Sequence, residues 1–579
     1  MRRAAGSPFH AILVVADCLG VAIAASVGMA GGLTGPILDE GVAVELRDVV
    51  QLPASAGSPP LARVGILREV PDGSGRLFAN DLRGRLHVIQ DSTVATYMDL
   101  SALFPALKNS DLQLGFVSYA FHPEFASNGL FYTVHTEFVG ATPPNLAPAI
   151  PATIIHHSVV TEWQATDPAA NAWSGTHREL MRIAAPHTYH NLGEIGFDPD
   201  LGPTDPDYGL LYIAAGDFGS VELGQPDQVQ RLDTVYGCLL RIEPLGEPFE
   251  RGGTTYPYGI PAANPFANDG DPATFGEIFA YGFRNPQNFH FDRGGLGTLL
   301  VAEIGQGNVE EVNLPRAGSN YGWPQREGTF ALDVSVDPET VLPLPGNDAG
   351  LGFTYPVAQY DHDEGQAIAG GLVVRRGPPS ALQGKFVFGD VVSGRMFYAD
   401  MAAMLAADDG NPSTTAAVYQ LHLLRNGVET TLLDVVRQAL GNPAIRRTDL
   451  RFSTDTAGRL YVTTKQDGFI RELVPIAAPV SDARHTPGPS QAPINVPNPF
   501  NPSTVITFQL AASAHVRLRI RDAAGRVTCL LVDQTLGAGE HGYVWNGRDR
   551  AGEEVPSGVY LCELVIGSRI QTRKMSLIR

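Results

Sequence analysis

Two adjacent polar residues, Arg284 and Asn285, have the clearest capacity for chemistry in this sequence. They follow a strand-like run and precede Pro286, at a junction between strand and loop. Arginine presents five donors in a planar fork, which suits a polyanionic or quinonoid ligand. An ordinary ion pair on a surface loop would use the same residue types, so composition alone leaves both interpretations open.

Potential oxygen ligands follow this pair in the chain. The bend at Gly305 and Gln306 exposes backbone carbonyls, and Glu311 and the Tyr321 region come after it. Carboxylate and carbonyl oxygens are the hard ligands that Ca²⁺ prefers. An arginine beside such a loop predicts a site where an anionic cofactor lies next to calcium.

A histidine and an aspartate form a second candidate site. His190 precedes an Asn-Leu-Gly sequence, and Asp217 stands at the end of a later strand-like run. An imidazole whose far nitrogen is held by a carboxylate is the standard form of a general base at neutral pH. A purely structural His–Asp hydrogen bond is the alternative that these two residues leave open.

Short apolar runs closed by Gly or Asp recur from about Asp48 to Pro475, and these runs must position the candidate residues. Examples are GLLYIAAGDFGS, GTLLVAEIG and GRLYVTTKQDGFIREL. Hairpin-like units at such spacings fit propeller blades better than one sandwich. The 63 glycines and 44 prolines favour short strands and turns over long helices. The predicted fold class is all-β, although the repeat is too degenerate to count the blades.

Charge and missing motifs exclude several classes of function. The formal net charge of −20 argues against nucleic acid or anionic lipid as a general partner. The sequence has no GxGxxG fingerprint after a strand, no CxxC pair, no HExxH and no GxSxG. Nicotinamide binding by a Rossmann unit, zinc hydrolysis and serine-hydrolase chemistry therefore lack sequence support.

The first 31 residues predict an export signal. Arg2 and Arg3 precede an apolar run from Ala11 to Ala25, and small residues follow it. This order is typical of a cleaved signal, and no other apolar run is long enough to cross a bilayer. We therefore expect a protein that is secreted, periplasmic or held at the cell surface.

A Pro-, Ala- and Ser-rich segment at residues 476–497 predicts a linker between two domains. The propeller is expected at residues 48–475. A small antiparallel β-sandwich is expected at residues 498–579, where short alternating strands are separated by Gly turns. Cys529 and Cys562 both fall in this second domain, so the two could pair.

Three spaced motifs resemble a known family. They are RNPQ at residues 284–287, the E-x-G-x-x-x-x-E-E-V-N-L run that begins at Glu303, and NYGWP at residues 320–324. In this order they are similar to the soluble quinoprotein (PQQ-dependent) glucose and aldose sugar dehydrogenases and the wider glucose/sorbosone dehydrogenase group. The resemblance implies a six-bladed β-propeller, with catalytic loops at one end of a central channel.

The resemblance also implies roles for the candidate residues. His190 would take the proton of the anomeric hydroxyl, Asp217 would orient His190, and Arg284 would polarise the quinone. The residues expected to position PQQ and the sugar are Gln113, Arg284, Asn285 and Arg446.

Two calcium ions are implied in the same way. One Ca²⁺ would lie between the cofactor and the backbone carbonyls of Gly305 and Gln306. A second, structural Ca²⁺ would use Glu311 and the carbonyl of Tyr321.

The chain departs from the family pattern at several positions. Thr448 replaces the second arginine of the family's R-x-R-D motif, Tyr189 stands where the glucose enzymes have an acid, and Glu222 replaces a glutamine. Residues 389–397 lack the lysine that the glucose enzymes carry near the cofactor. Charge-assisted contacts contribute about 1.5–3 kcal/mol each, so cofactor affinity depends on whether other groups compensate.

Motifs in the last 80 or so residues resemble a second family. NPFNPST at residues 498–504, the W-N-G-R-D turn that begins at Trp545, and SGVY at residues 557–560 are the residues concerned. They look like the immunoglobulin-type C-terminal domains of the flagellar-hook-capping and type IX secretion-sorting class. The resemblance implies contact with secretion machinery or the cell surface.

The sequence leaves two functional hypotheses. The first is an exported PQQ-dependent dehydrogenase that oxidises the C1 hydroxyl of an aldose to a lactone and passes electrons to an unidentified acceptor. The second is a catalytically silent propeller that binds carbohydrate or protein at the cell surface. The lost charged residues and the attached β-sandwich favour the second hypothesis, and a propeller fold hosts both roles.

Overall fold

The computed structural model describes residues 33–110, 112–476, 493–510, 513–523, 525–566 and 569–579. Its regular structure is almost entirely β, with six four-stranded blades around a channel and a sandwich of two further sheets. The predicted export signal, and residues 477–492 of the predicted linker, lie outside the described residues.

The first strand of each blade lies nearest the channel, and the strands of a blade pair in an antiparallel manner. One strand, β1 (Ala43–Gln51), precedes the first blade. The first blade contains β2 (Val64–Glu69), β3 (Leu77–Asp81), β4 (Arg85–Gln90) and β5 (Thr93–Asp99). The second contains β6 (Phe116–Phe121), β7 (Leu130–Phe138), β8 (His156–Ala165) and β9 (Gly175–Ala185). The third contains β10 (Leu192–Gly196), β11 (Leu211–Ala215), β12 (Cys238–Ile242) and, after the hairpin β13 (Phe249–Arg251) and β14 (Thr254–Tyr256), β15 (Ile278–Tyr281).

The remaining blades follow the same plan. The fourth contains β16 (Asn288–Phe291), β17 (Leu299–Glu303), β18 (Val309–Asn313) and, after an inserted sheet of β19 (Arg326–Glu327), β20 (Phe330–Asp333) and β21 (Asp337–Leu342), β22 (Ala358–Asp361). The fifth contains β23 (Ile368–Val373), β24 (Lys385–Asp390), β25 (Met396–Asp400) and β26 (Val418–Arg425), with β27 (Val428–Thr430) paired to β26. The sixth contains β28 (Arg451–Thr454), β29 (Leu460–Thr463) and β30 (Phe469–Val474).

The six innermost strands close into a ring, in which β2, β6, β10, β16, β23 and β28 contact one another in that order and β28 returns to β2. The N-terminal strand β1 completes the sixth blade by pairing antiparallel with β30, and it also pairs parallel with β26 of the fifth blade. The prediction of a six-bladed β-propeller is confirmed. Because β1 begins at Ala43, the first propeller strand starts before the expected boundary at residue 48.

The middle strands of the blades are buried on both faces. Strands β3 and β12 contain no exposed residue. Neighbouring blades cover both faces of each sheet. The sequence of a middle strand is therefore a continuous apolar run, whereas a strand buried on one face has alternating apolar and polar residues. This packing accounts for the mixture of alternating and continuous runs in the sequence.

Helices are few and short. The α-helices are α1 (Leu100–Leu103), α2 (Phe125–Asn128), α3 (Met401–Ala407) and α4 (Leu432–Leu440), and the 3₁₀ helices are Pro226–Gln230, Asp348–Gly350 and Ser380–Leu382. The longest, α4, is capped at its N-terminus by Thr431, whose hydroxyl accepts a hydrogen bond from the Asp434 amide at 3.1 Å, and at its C-terminus by Gly441 with φ of 59°. Within the described parts of the chain, none of the helices is long and apolar enough to span a membrane.

The C-terminal strands form the sandwich predicted from the alternating pattern. One sheet contains β31 (Ile494–Val496), β32 (Thr504–Leu510) and β35 (Gly539–Trp545). The other contains β33 (Ala514–Asp522), β34 (Val527–Leu536), β36 (Gly558–Ile566) and β37 (Arg569–Leu577). Strand β31 lies within the segment predicted as a linker. The last part of that segment therefore belongs to the sandwich, since three of its residues pair with β32.

The suggested Cys529–Cys562 disulfide is wrong for this fold. Cys529 and Cys562 both lie opposite Ile520, one on each side of β33. Strands in a sheet are about 4.8 Å apart, so residues two strands apart exceed the separation that a disulfide bridges. Both cysteines are free thiols.

The sandwich packs against the propeller. Val42 forms a β-bridge with Tyr543, and the Val544 amide donates to the Gly41 carbonyl at 2.5 Å. Gly41 has φ of 70°, and a Cβ there would lie 2.3 Å from the Val544 carbonyl oxygen, so glycine is required at this contact. The apolar core of the sixth blade is continuous with that of the sandwich.

Candidate active site

His190 and Asp217 meet at the end of the channel where the innermost strands begin. His190 comes two residues before β10 and Asp217 two residues after β11, and Leu192 lies opposite Ala215 in the antiparallel pair. The register therefore brings the two loops together. His190 Nδ1 lies 2.8 Å from Asp217 Oδ1, with both side chains almost fully buried. The predicted His–Asp contact is present.

The backbone at this contact is strained and crowded. His190 has φ of 53° and Phe218 has φ of 54°, values that non-glycine residues adopt rarely. A Cβ on Gly216 would lie 2.3 Å from the His190 carbonyl oxygen, so only glycine permits this approach. Strained conformations of this kind cost about 1–3 kcal/mol each and cluster at functional sites.

Asp217 is held by several donors besides His190. The Gly219 amide donates to Oδ1 at 2.9 Å, and Trp323 Nε1 donates to Oδ2 at 3.1 Å. Burial acts to raise the pKa of Asp217, but His190, Arg284 and the Gly219 amide outweigh it, so the pKa lies below its ordinary value. The carboxylate is therefore ionised and fixed in orientation.

His190 is a neutral imidazole in this environment. Burial lowers the pKa of His190, the Arg284 guanidinium lowers it further, and Asp217 acts in the opposite direction. Because an ionised Asp217 accepts the Nδ1 proton, Nε2 carries the lone pair. This is the protonation state that a general base requires.

Arg284 lies beside the histidine and points along the loop that follows β17. Its Nε donates to Gln306 Oε1 at 2.9 Å, and its Nη1 donates to the carbonyl of Gly305 at 2.6 Å. Nη2 lies 3.8 Å from a Glu222 carboxylate oxygen, and the guanidinium stands 5.5 Å from the centre of the Trp323 ring. The structure thus places Arg284 near His190, with its donors directed at protein acceptors.

The contact with Arg284 changes the expectation for the first calcium ion. The Gly305 carbonyl was expected to face a cation, and here it accepts a hydrogen bond from an arginine. The Gln306 amide donates to Glu327 Oε1 at 2.9 Å, which fixes the direction of this peptide. A cation at the Gly305 carbonyl therefore disagrees with the arrangement in the structure.

Glu327 organises the whole loop after β17. Its Oε1 accepts from the amides of Gln306, Gly307, Asn308 and Val309, at distances from 2.7 to 3.0 Å. Converging backbone amides of this kind bind an anion strongly. Here the Glu327 carboxylate is the bound anion, in the position that a free anion would otherwise occupy. The loop is thus preorganised.

A small cavity of about 10 Å³ beside Arg284 has the donor set of a cation site. Glu303, Glu311 and Tyr321 all line it. Glu303 Oε1 accepts from the Asn285 amide at 2.8 Å, whereas its Oε2 is buried and has no hydrogen-bond partner among the described residues. A cavity of this volume holds one water-sized particle.

The two buried carboxyls in this cavity have unusual ionisation. Burial, with the neighbouring Glu311 carboxylate, raises the pKa of Glu303 well above its ordinary value. Burial raises the pKa of Glu311 to about 7. An unpartnered carboxylate oxygen beside a second buried carboxyl is the arrangement that a bound divalent cation compensates. The residues present therefore fit the predicted structural calcium ion.

Gln113 and Asn285, two of the residues predicted to contact the cofactor, line a cavity of about 30 Å³ at the entrance to the channel. Two cations that sequence reasoning did not identify line it as well. Arg451 Nη2 donates to Gln287 Oε1 at 2.6 Å, and Lys465 Nζ donates to the Leu112 carbonyl at 2.6 Å. The entrance thus presents amide and cationic donors together.

The prediction for Arg446 differs from the structure. Arg446 is exposed and does not line the cavity. Its loop is anchored by the buried Thr448, whose hydroxyl donates to the Val391 carbonyl at 3.0 Å, and Arg447 pairs with Asp449 at 2.6 Å. Arg451, at the start of the inner strand β28, supplies a guanidinium to the channel in their place.

Two other departures from the family pattern lie at the entrance. Tyr189 is exposed, with its ring 4.7 Å from the ring of His187 and 6.1 Å from that of His190. Ligand atoms of His190, Asp217 and Glu222 lie within 4.8 Å of one another, close enough to hold a metal ion. Both carboxylate oxygens of Asp217 already accept hydrogen bonds, Oδ1 from the Gly219 amide and Oδ2 from Trp323 Nε1, which favours the His–Asp contact over a metal site.

Sequence reasoning missed five residues of this region: Glu303, Trp323, Glu327, Arg451 and Lys465. Glu303 and Trp323 lie inside the quoted motifs, so the motifs themselves carried the signal. Glu327 follows NYGWP closely, but its role depends on a loop that approaches it in space. Arg451 and Lys465 come from the sixth blade, and no local pattern points to them.

Comparison with known proteins identifies related sequences for both parts of the chain. The sequence model of the glucose/sorbosone dehydrogenase family matches residues 66–409, and that of the FlgD Ig-like domain matches residues 496–566. Residues 66–409 include every predicted catalytic and metal-binding residue. The second match covers most of the C-terminal sandwich.

Individual relatives differ in name and in extent. HIPL1 protein of Arabidopsis thaliana is 29% identical over 366 residues, which are 55% of this chain and 50% of that protein. The aldose sugar dehydrogenase YliI of Escherichia coli is 34% identical over 116 residues, which are 20% of this chain and 26% of that protein. The chain thus spans about half the length of the first of these curated relatives.

A solved structure shares the fold. The apo form of the soluble aldose sugar dehydrogenase of Escherichia coli superposes with a TM-score of 0.51 at 21% identity. The superposition covers 75% of this chain and 100% of that one. At this identity the likeness supports the propeller architecture and carries no information on substrate.

Proposed function

Because this chain belongs to the glucose/sorbosone dehydrogenase family, whose sequence model covers residues 66–409, we propose that it is an exported, PQQ-dependent sugar dehydrogenase. The reaction is oxidation of the anomeric hydroxyl of an aldose to the lactone. The observation that carries the proposal is the neutral, buried His190, held by an ionised Asp217 at 2.8 Å beside Arg284. A surface ion pair would show neither the burial nor the strained backbone.

His190 acts as the general base. Its Nδ1 proton is committed to Asp217, so Nε2 receives the proton of the C1 hydroxyl. Asp217 fixes the tautomer and stabilises the imidazolium that forms, and Trp323 prevents the carboxylate from turning away. Burial, together with the charge of Arg284, lowers the pKa of His190 and keeps the ring neutral before the proton arrives.

PQQ, when bound, supplies the quinone that accepts the hydride from C1 of the sugar. Residues that would hold it are Gln113, Asn285, Lys465 and Arg451, which line the entrance cavity, together with Arg284, which lines the separate small cavity. PQQ is a polyanion, so these cations compensate for the arginine and the lysine that the family pattern has and this chain lacks. The donor set therefore fits the cofactor.

Calcium would be held by Glu303, Glu311 and Tyr321 in the cavity beside Arg284. Glu303 also accepts the amides of Arg284 and Asn285, so a cation that orders Glu303 supports the two residues next to the cofactor. The role of this ion would be structural, since Glu303 holds the backbone amides of Arg284 and Asn285.

The C-terminal sandwich supports a location outside the cytoplasm. Its sequence matches the FlgD Ig-like domain over residues 496–566, and the first 31 residues have the pattern of an export signal. We place the protein in the periplasm or at the cell surface, where the sandwich contacts secretion machinery or the surface itself. Fractionation of the native host, with antibody detection, tests the placement.

A catalytically silent, sugar- or protein-binding propeller is the second candidate. Glu222 favours it, because its carboxylate lies 3.8 Å from Arg284 and offsets a charge that an anionic cofactor requires. Tyr189, exposed at the entrance, would then serve as a platform for a ligand ring.

Reconstitution separates the two candidates. Purified protein is incubated with PQQ and Ca²⁺, and PQQ binding is followed by absorbance while a panel of aldoses is tested with an artificial electron acceptor. The dehydrogenase predicts saturable binding and aldose-dependent reduction of the acceptor, both lost when PQQ is omitted. Protein that binds no PQQ would establish the silent propeller and overturn our proposal.

A further inference from the structure

The central channel contains a second space, here called the far chamber, at the end away from His190. It has a volume of about 430 Å³, against about 30 Å³ for the cavity at the entrance. Residues from the later halves of all six inner strands, β2, β6, β10, β16, β23 and β28, line it, so it opens toward the opposite face of the propeller. Its volume falls in the range of small-molecule pockets, about 300–1,000 Å³.

A layer of side chains separates the far chamber from the entrance cavity. Ile66, Glu194, Asn288 and Arg451 line both spaces. Arg68 Nη2 donates to Glu194 Oε1 at 2.6 Å, and Asn288 Nδ2 donates to Glu194 Oε2 at 3.1 Å. This hydrogen-bonded layer makes the far chamber a distinct site, outside the proposed catalytic centre.

The wall of the far chamber is rich in aromatic rings. Phe121, Phe197, Phe289, Phe291 and Phe452 come from four different blades and surround the space, and Tyr208 lies at its side. Rings supplied by separate rigid strands form a surface against which a flat ring packs well. The walls therefore select for a ligand with an apolar ring.

Three of the polar residues that line the chamber, Arg68, Asn288 and His290, come from β2 and β16. Each has one fully buried polar atom, Arg68 Nε, Asn288 Oδ1 and His290 Nε2, that has no hydrogen-bond partner within the described ranges and lies behind the surface of the chamber. Burial lowers the pKa of His290 to about 4, so its ring is neutral.

The charge balance of the chamber is positive. Glu194 is paired with Arg68, and Glu69 accepts from the Thr456 amide at 2.7 Å and from its hydroxyl. Arg293 lines the chamber, and in the part of the chain that the structure describes it forms no ion pair. A guanidinium group without a carboxylate partner favours an anion.

We propose that the far chamber binds a small organic acid with an apolar ring, its anionic group at Arg293 and its ring against the phenylalanines. Arg293 is half-buried near the opening, where a carboxylate or sulfonate keeps part of its hydration. The inference does not depend on the proposed dehydrogenase activity.

A fluorescence titration tests this site, with 8-anilinonaphthalene-1-sulfonate as the ring-bearing anion and N-phenyl-1-naphthylamine as its uncharged analogue. Arg293→Gln should weaken binding of the sulfonate by about 10- to 100-fold, the worth of one charge-assisted contact, and leave the amine unchanged. Arg526→Gln, which removes the same charge from an exposed position in the sandwich, is the matched control and should alter neither.

Two blocking variants locate the bound probe. Leu372→Trp fills the buried wall, and Thr454→Trp fills the half-buried rim, where the fold tolerates a larger side chain more readily. Each variant that keeps the wild-type circular dichroism spectrum should lose binding of both probes. Wild-type binding of the sulfonate in Thr454→Trp, or equal weakening of both probes by Arg293→Gln, would overturn the proposal.

Discussion

The two ends of the central channel each contain a histidine, and the surroundings of the two histidines differ. Burial lowers the pKa of both His190 and His290, so both rings are neutral. His190 Nδ1 is held by Asp217 at 2.8 Å, whereas His290 Nε2 has no partner among the described residues. Burial alone produces a neutral imidazole, and a fixed carboxylate turns that imidazole into a directed base.

The backbone makes the same distinction. His190 and Phe218 lie in loops with positive φ, packed so closely that Gly216 tolerates no side chain. His290 lies within the regular inner strand β16. Strain at the entrance holds a precise geometry, and the far chamber, built on unstrained strands, depends on volume and surface.

The largest expected effect is that of His190→Ala on turnover. Removal of the base should lower kcat of the reconstituted enzyme by about 10²–10⁴, the usual contribution of a positioned general base. The affinity for PQQ should change far less, because His190 addresses the proton of the substrate. Steady-state kinetics and a PQQ titration measure the two effects.

His515→Ala is the control for this variant, since that histidine is exposed on the sandwich. It should leave kcat at the wild-type value. A His190→Ala enzyme with near-wild-type turnover would remove the base assignment and, with it, the contrast between the two histidines.

Asp217→Asn should have a smaller effect on kcat than His190→Ala and should move the pH profile. Loss of the anion lowers the pKa of His190 further, since an opposite charge at this distance contributes about 1–3 units. The acidic limb of kcat/KM reports protonation of the base, so it should move to lower pH by about that amount. Rates measured from pH 4 to 8 show the shift.

Trp323→Phe is the matched control for the pH profile. It removes the indole hydrogen bond to Asp217 Oδ2 and keeps the carboxylate charge. The acidic limb should therefore stay at the wild-type position. A shift in both variants would mean that packing around Asp217, and not its charge, sets the basicity of His190.

Most of the fold could be predicted from the sequence because the signals are local. Gly-closed apolar runs marked the strands of the propeller, and alternating strands with Gly turns marked the sandwich. His190, Asp217 and Arg284 could be predicted because each lies within a short motif. The pairing of Leu192 with Ala215, which brings His190 to Asp217, follows a register shift between Leu192 and Ile195, and no short motif indicates this shift.

The remaining features depend on contacts between distant segments. Arg451 reaches the entrance because the sixth blade closes beside the first. The family motif predicted Arg446 in this role instead. Arg284 Nη1 donates a hydrogen bond to the Gly305 carbonyl. The sequence predicted separate ligands for these two residues, the cofactor for Arg284 and calcium for Gly305, and so did not indicate this contact. The far chamber is a property of six strands together, so no single stretch of sequence indicates it.

The smallest expected effect concerns the carboxyls beneath Arg284. Glu311→Gln should lower Tm in Ca²⁺ by about 2 °C for each tenfold loss of calcium affinity, because a bound ion stabilises only the folded state that holds it. In chelator the variant should unfold close to the wild-type temperature. Burial already raises the pKa of Glu311 to about 7, so a neutral amide replaces a carboxyl that is half-protonated near neutral pH. Thermal scans in CaCl₂ and in EGTA give both values.

Glu327→Gln supplies the opposite pattern. Glu327 accepts four backbone amides of the loop after β17, so its loss should lower Tm equally in the two buffers. Equal losses for Glu311→Gln would mean that Glu311 holds only the Asn313 side chain and the Gly328 amide.

Binding of the naphthalene sulfonate to the far chamber should be unaffected by Glu311→Gln in either buffer, because the hydrogen-bonded layer at Glu194 and Arg451 stands between the two regions. A calcium-dependent change in that binding would show that the two ends of the channel are coupled and that their separation is incomplete.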